Sequence, residues 1–299
     1  MKVLLLGKNG QVGWELQRSL QQLGEVVALE MPEIDLGDPD SLGRTVEALR
    51  ADVIVNAAAY TAVDRAESDE ATATRVNGES VAVLARVAAA QGSWLVHYST
   101  DYVFDGSGST PWRETDVPAP LNAYGRSKLK GERAIQTSGC RHLIFRTSWV
   151  YAARGQNFVR TILRLAAERD QLRVIADQHG VPTSAEFLAD VTAHAISRVE
   201  MEPASEVGGI YHLAPRGETS WHGIASAAVG RAIQLGVRMQ ATPERICAIA
   251  ASEYPLPAPR PANSRLCVDR VEHDFGIQCP DWRMHLDRTV AELTKGADA

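Results

Sequence analysis

The chain has 299 residues, 45% of them hydrophobic and 23% charged, with a formal net charge of −6. Those fractions are ordinary for a globular protein and set aside disordered and fibrous classes, and the length suits one large domain or two joined lobes. A net negative chain lacks the clustered basic surface that a nucleic-acid backbone requires, and no run approaches the roughly 18 apolar residues of a membrane span, so neither is an expected partner.

The first apolar run, residues 3–6, is too short for the core of a secretory leader and reads as a buried strand. It leads into Gly7-Lys8-Asn9-Gly10-Gln11-Val12-Gly13, followed by a helical pattern over 12–23. A G-x-x-G-x-x-G turn between strand and helix suits a dinucleotide pyrophosphate. Gly7 permits the tight turn, Gly10 the approach of backbone to phosphate, and Gly13 close helix–strand packing. The helix N-terminus, with Gln11 and Val12 in the same turn, supplies donors and partial positive charge. The second strand, 26–29, ends at Glu30. An acid there can accept from the adenosine ribose 2′-hydroxyl and repel a 2′-phosphate, which leans toward NADH. Lys8 can offset the repulsion and leaves NADPH open, and a solvated surface acid is the competing reading. Asp35 and Leu36 follow as a plausible adenine clamp.

A helix over 41–50 and a strand over 53–55 lead to Asn56-Ala57-Ala58-Ala59, whose small side chains leave room for a cofactor against the strand end. A helix is expected over 71–91 and a strand over 95–98, ending in Ser99-Thr100-Asp101. A helix over 124–138 comes next, with Asn122 placed to cap it. Tyr124 and Lys128 lie four residues apart, on one face of that helix. Reducing a ketone needs a hydride on carbon and a proton on oxygen. Tyr124 can exchange that proton, Lys128 can favour the phenolate and hold ribose hydroxyls, and Thr100 can polarise the carbonyl. With a fifth strand over 143–146, the strand–helix alternation implies an α/β fold, a doubly wound parallel sheet of the Rossmann type.

The second half is less regular. Helices are expected over 158–169, 187–198, 224–235 and 284–293, and a strand over 210–213. Residues 254–261 hold four prolines and read as an extended loop. Residues 1–150 are expected to form the dinucleotide-binding domain and 151–299 mainly a smaller substrate-binding lobe, with parts near 186–213 returning to the first domain. The four cysteines show no CxxC spacing and read as free thiols of a reducing, cytoplasmic setting.

The set Gly7 to Gly13, Asn56-Ala57-Ala58-Ala59, Tyr98-Ser99-Thr100-Asp101-Tyr102-Val103-Phe104 and Tyr124-Gly125-Arg126-Ser127-Lys128 resembles the extended short-chain dehydrogenases/reductases. Arg146-Thr147-Ser148-Trp149-Val150-Tyr151, Asp177-Gln178-His179-Gly180-Val181-Pro182-Thr183 and Arg260-Pro261-Ala262-Asn263-Ser264-Arg265-Leu266 point to a sugar-nucleotide reductase among them. The resemblance implies NADH- or NADPH-dependent reduction of the C4 ketone of dTDP-4-keto-L-rhamnose to dTDP-L-rhamnose, with Tyr124 as the acid assisted by Lys128 and Thr100. It also implies cofactor contacts at Tyr98 and at Ala59, Tyr60 and Thr61, although Tyr60 stands where a histidine is frequent. Asp101 and Trp149 are matched to the sugar, and Arg260 and Asn263 to the nucleotide diphosphate. Glu15, Glu186 and Glu292 match positions that hold Mg²⁺ at the contact of a homodimer.

Two rivals remain at this point. A sugar-nucleotide epimerase would retain NAD⁺ and consume no reduced cofactor; a 4,6-dehydratase would place Glu after the Thr-Asp pair, where this chain has Tyr102. A non-catalytic dinucleotide-binding regulatory subunit, such as relatives form in eukaryotic methionine adenosyltransferase, would have no need of Thr100, Tyr124 and Lys128 together.

Overall fold

The computed structural model describes residues 1–201 and 207–295. The first half runs β1 (Lys2–Leu6), α1 (Gln11–Leu20), β2 (Glu25–Leu29), α2 (Pro39–Leu49), β3 (Val53–Asn56), α3 (Val63–Ala66), α4 (Glu70–Thr74), α5 (Ser80–Gln91), β4 (Trp94–Thr100), α6 (Ala123–Thr137) and β5 (Arg141–Thr147). The second half runs β6 (Val150–Tyr151), α7 (Phe158–Glu168), β7 (Leu172–Ile175), β8 (His179–Gly180), β9 (Thr183–Ser184), α8 (Ala185–Met201), β10 (Gly209–His212), β11 (Thr219–Ser220), α9 (Trp221–Gln234), β12 (Ile246–Ile249), α10 (Asp269–Phe275) and α11 (Trp282–Lys295).

Six strands form one parallel sheet in the order β10-β5-β4-β3-β1-β2. Strand side chains alternate between faces. Val3, Leu5, Val53, Val55, Val96 and Phe145 therefore pack on one side, against Leu16 and Leu20 of α1, Leu188 of α8 and Leu286 of α11. Leu4, Leu6, Ile54, Leu95 and Ile144 pack on the other, against Leu42 of α2, Leu84 of α5 and Ile135 of α6. Both faces are apolar because both are covered, and the sheet is doubly wound as expected. The chain leaves β1 toward β2 and returns on the other side to β3. The carboxyl ends of β1 and β3 thus flank a topological switch point, where such sheets bind ligands.

Smaller pairings β7–β12, β6–β9 and β8–β11 build the second half, and α7, α9, β7 and β12 share an apolar cluster of their own around Ile162, Leu172, Val229 and Ile246. Within the stretch 186–213, α8 lies on α1 and β10 on β5, and 202–206 lie outside the described residues. Residues 296–299 of the expected lobe also lie outside them. The Pro-rich stretch 254–261 carries neither helix nor strand. The expected single helix 71–91 is instead α4, a π turn at Arg75–Glu79 and α5. The wide turn carries Asn77, whose amide bonds both backbone groups of Tyr60, a contact that regular helical spacing would not provide. No helix among the described residues is long and apolar enough to cross a membrane.

Candidate active site

The glycine turn is shaped by contacts that a Cβ would break. Gly7 has φ +87°, and a Cβ there would lie 2.7 Å from the Ala58 nitrogen at the end of β3. A Cβ on Gly13 would lie 1.9 Å from the Gly7 carbonyl oxygen, so Gly13 sets the fit of α1 onto the turn. Gly10 is different. A Cβ there would meet the Gly7 oxygen no closer than 3.4 Å, and Gly10 caps α1 with no side-chain partner, leaving first-turn N–H groups free for an anion.

This turn forms one end of a cleft of about 580 Å³, within the size range of small-molecule sites. Gly7, Gly10, Gln11, Val12 and Glu30 line that end; Ala57, Ala58, Ala59 and Thr61 form the wall from β3. Tyr98, Thr100 and Asp101 enter from β4, Tyr124 and Lys128 from α6, and Trp149 closes the far end with Trp221. Gln11 accepts from the Asn157 amide at 2.8 Å, and the Tyr98 hydroxyl sits 2.6 Å from Thr192 Oγ1, so both are fixed in place.

Local packing brings the reacting groups together. Asn122 caps α6 by accepting from Gly125 N at 2.8 Å, as the sequence suggests. At Gly125 a Cβ would lie 2.2 Å from the Tyr102 carbonyl, so the first turn of α6 presses directly on the turn after β4. Tyr124 and Thr100 are thereby brought to the same wall of the cleft. Thr100 Oγ1 donates to Asp101 Oδ1 at 3.1 Å and accepts from Tyr102 N at 3.1 Å. Burial pushes the Asp101 carboxyl up to about 7, and Asp101 Oδ2 is buried without a partner.

One expectation needs correction. Lys128 is not what governs the Tyr124 phenol. Burial, then the Asp101 charge, push that phenol above its ordinary value, against the influence of the neighbouring Thr100 hydroxyl. The Lys128 amine instead lies 3.2 Å from His97 Nε2, and burial lowers it to about 8 against the pull of Glu132.

Other expected residues lie outside the cleft lining. Asp35 accepts from Gly37 N at 2.6 Å, and Leu36 is buried in the core beneath α2 and α5. Tyr60 is held by its backbone on Asn77 and by its hydroxyl, 3.4 Å from Asp69. Arg260 forks onto Asp64 at 2.5 and 2.7 Å, so its guanidinium is already paired. Asn263 is buried and donates to the Ser107 and Thr110 carbonyls, which makes it a brace of that loop. Glu15, Glu186 and Glu292 do line one crevice, of about 230 Å³. Yet no three His, Cys, Asp or Glu side chains among the described residues are grouped closely enough to hold a metal, and Glu186 is engaged by Arg288 at 2.6 Å. Within one chain these residues do not fit an Mg²⁺ site.

Sequence reasoning missed Trp221 and Asn77. Trp221 opens α9 and stacks on Trp149 at 4.1 Å between ring centroids, and Trp149 itself holds φ +49°, a left-handed backbone unusual for a bulky residue. Asn77 donates to the Ser127 hydroxyl and the Tyr60 carbonyl, each at 3.0 Å, tying the β3 end to α6. Neither residue belongs to a local motif.

Fold and cleft together define a dinucleotide-binding α/β protein of the extended short-chain dehydrogenase/reductase class. Within that class the chain belongs to the RmlD substrate binding domain family, whose model matches residues 1–295. A dTDP-4-dehydrorhamnose reductase of Burkholderia thailandensis is 52% identical over 297 residues, 98% of this chain and 99% of that protein. The crystal structure of a dTDP-4-dehydrorhamnose reductase from Clostridium acetobutylicum superposes with a TM-score of 0.87 at 32% identity, over 98% of this chain and 99% of that one. One from Bacillus anthracis, in complex with NADP, gives 0.85 at 30% identity, over 97% and 99%.

Proposed function

We propose that this protein is a dTDP-4-dehydrorhamnose reductase, which reduces the C4 ketone of dTDP-4-keto-L-rhamnose to dTDP-L-rhamnose with NADH or NADPH. The observation that carries the reading is the single cleft running from the open face of Gly10 to Thr100, Tyr124 and Lys128, in a chain half identical to proteins of that name over almost its whole length. The residues present suit a dinucleotide: Gly10 leaves room for a pyrophosphate and the uncapped start of α1 offers N–H groups to it. The reduced nicotinamide supplies the hydride.

The chain's own residues do the rest. A phenol raised by burial stays protonated at neutral pH, the form a reduction requires of Tyr124 as donor to the C4 oxygen. Thr100, which lines the cleft beside it, can hydrogen-bond the same oxygen. Lys128 would hold the ribose hydroxyls, with Glu30 near the adenosine end and Tyr98, Ala59 and Thr61 along the wall. The Trp149–Trp221 ledge and Asp101 would receive the sugar. The lobe built on α7, α9, β7 and β12 would close over it, and the reading is of a cytoplasmic enzyme acting on a soluble nucleotide sugar. Mg²⁺ could enter only if a second copy supplied ligands at the Glu15 crevice, which makes a homodimer part of the reading.

Cofactor deuterated at the transferring position is expected to place deuterium on C4 of the sugar, with one cofactor consumed per product. Turnover with no net consumption would instead indicate an epimerase.

A further inference from the structure

Behind the cleft stands a row of polar side chains, two of which, Asn56 and His97, the proposed reaction leaves without a role. Asn56 ends β3, His97 is its register partner on β4, and Lys128 reaches them from α6. All three are at most 2% exposed. Asn56 Nδ2 lies 3.1 Å from His97 Nδ1, and Lys128 Nζ lies 3.2 Å from His97 Nε2.

The hydrogens along this row can be assigned from one end. The Ala58 backbone N–H donates to Asn56 Oδ1 at 3.2 Å, which fixes the amide orientation. Nδ2 therefore faces His97, and because it can only donate, His97 Nδ1 must accept. A neutral imidazole that accepts at Nδ1 carries its hydrogen on Nε2. That hydrogen points at Lys128 Nζ, which can accept it only as an uncharged amine. An ammonium would set N–H against N–H, and an imidazolium would do the same at Asn56. Burial acts in the same direction, holding His97 well below its ordinary value and lowering Lys128. The groups facing Lys128 do not reverse this. Glu132, one turn on along α6, favours the ammonium, but its carboxylate is taken by Arg146 of β5 at 2.9 and 2.6 Å and by Ser99 of β4 at 2.5 Å. Tyr124, one turn back, is a neutral phenol.

We propose that His97 is a positioning residue for Lys128: its imidazole, locked by Asn56 with the hydrogen on Nε2, holds the Lys128 side chain in place and favours its neutral amine over the ammonium in the dinucleotide-free protein. This rests on the reading of Lys128 as a site residue only for its bearing on turnover. The side-chain states themselves can be read without cofactor or substrate, so failure of the reductase reading and failure of this one are separate results.

The test is nuclear magnetic resonance on the full chain. The chain has five lysines and eight histidines, few enough to assign by substitution, with Lys128→Met marking the lysine signal. Imidazole nitrogen spectra are expected to show His97 as the Nε2–H tautomer. In lysines labelled at the ε-carbon, the signal absent from Lys128→Met should titrate near 8. Asn56→Asp would accept both from Ala58 N–H and from an Nδ1–H, moving the hydrogen across the ring and freeing Nε2 to accept from an ammonium. It should therefore switch the tautomer and raise the Lys128 midpoint by about one unit or more, a tenfold or greater gain in proton affinity. His97→Gln, whose carbonyl can accept from the ammonium, should raise it as well. An Nδ1–H tautomer in the unsubstituted protein, five lysines titrating together, or a midpoint unmoved by Asn56→Asp would each overturn the proposal. Should His97→Gln not fold, the tautomer and the Asn56→Asp titration decide it.

Discussion

At the scale of single residues, the site is a set of polar groups whose behaviour is set by what buries them. Asp101 shows this with a consequence for stability. Its carboxyl, pushed up to about 7 in the folded protein, binds more protons there than in the unfolded chain, where an aspartate titrates near ~3.9. Its contribution to stability is whole below that lower value and is lost as pH rises through about 7. Asp101→Asn is therefore expected to melt above the unsubstituted protein at pH 8 and no higher than it at pH 4, in thermal unfolding followed by circular dichroism. A difference that did not change with pH would contradict the assignment. The meeting of Thr100, Tyr124 and Lys128 in one cleft was legible in the sequence because strand-end and helix spacing place them. Their electrostatics were not. Four-residue spacing puts Tyr124 and Lys128 on one face, but only the fold shows that the amine turns to His97. His97 did carry a signal, an imidazole inside the apolar run Leu95-Val96-His97, where a polar side chain buried on a central strand needs partners. The present partners of Arg260 and Asn263 were not legible: their side chains are bonded to Asp64 and to loop carbonyls that no local spacing foretells.

At the scale of elements, the turn between β1 and α1 is the clearest case of sequence dictating form. Its three glycines serve different ends, and the difference can be measured. Gly13→Ala would force a Cβ to 1.9 Å from the Gly7 carbonyl and should cost about 2 kcal/mol or more of stability, as overpacked sites do. Gly10→Ala has no such clash and an ordinary φ of −68°. It is expected to fold with nearly unchanged melting temperature, since Ala for Gly at a helix cap costs of order 1 kcal/mol or less, yet to bind NADH and NADPH at least tenfold more weakly because its methyl enters the space facing the cleft. Fluorescence titration beside thermal unfolding separates the two. Equal dinucleotide affinity in Gly10→Ala would contradict the placement of the pyrophosphate. The strands and long helices of the first half were legible for the same reason as this turn, apolar runs punctuated by Gly and small residues. The π turn in the 71–91 stretch was not, because it follows from Asn77 meeting Tyr60, a tertiary contact that overrides helical periodicity.

At the scale of the whole molecule, the sheet supplies the dinucleotide end of the cleft and the second half its far end, through Trp149 and Trp221. The parallel, doubly wound sheet was readable from alternation, whereas the short pairings of the second half were not, being two to four residues long and lacking any period. The crevice of Glu15, Glu186 and Glu292 also belongs to this scale. Burial raises the Glu15 carboxyl, and the charges of Glu186, Glu292 and Asp190 raise it further against Arg18. A second copy that brought a cation to this face would relieve that repulsion. Sedimentation velocity is expected to show a dimer with Mg²⁺ that dissociates, at least in part, on adding chelator; a dimer indifferent to chelator would remove the cation from the reading.

The most direct measurement is the loss of reduced-nicotinamide absorbance with dTDP-4-keto-L-rhamnose generated in situ, for the unsubstituted protein and for Tyr124→Phe, with a UDP-4-keto-sugar as control. Rapid oxidation of NADH or NADPH with the dTDP substrate is expected, with the variant slower by about 10²–10⁴-fold at nearly unchanged cofactor affinity. Cofactor binding without oxidation by any keto-sugar, or a Tyr124→Phe variant within a few-fold of the unsubstituted protein, would contradict the reaction or its acid.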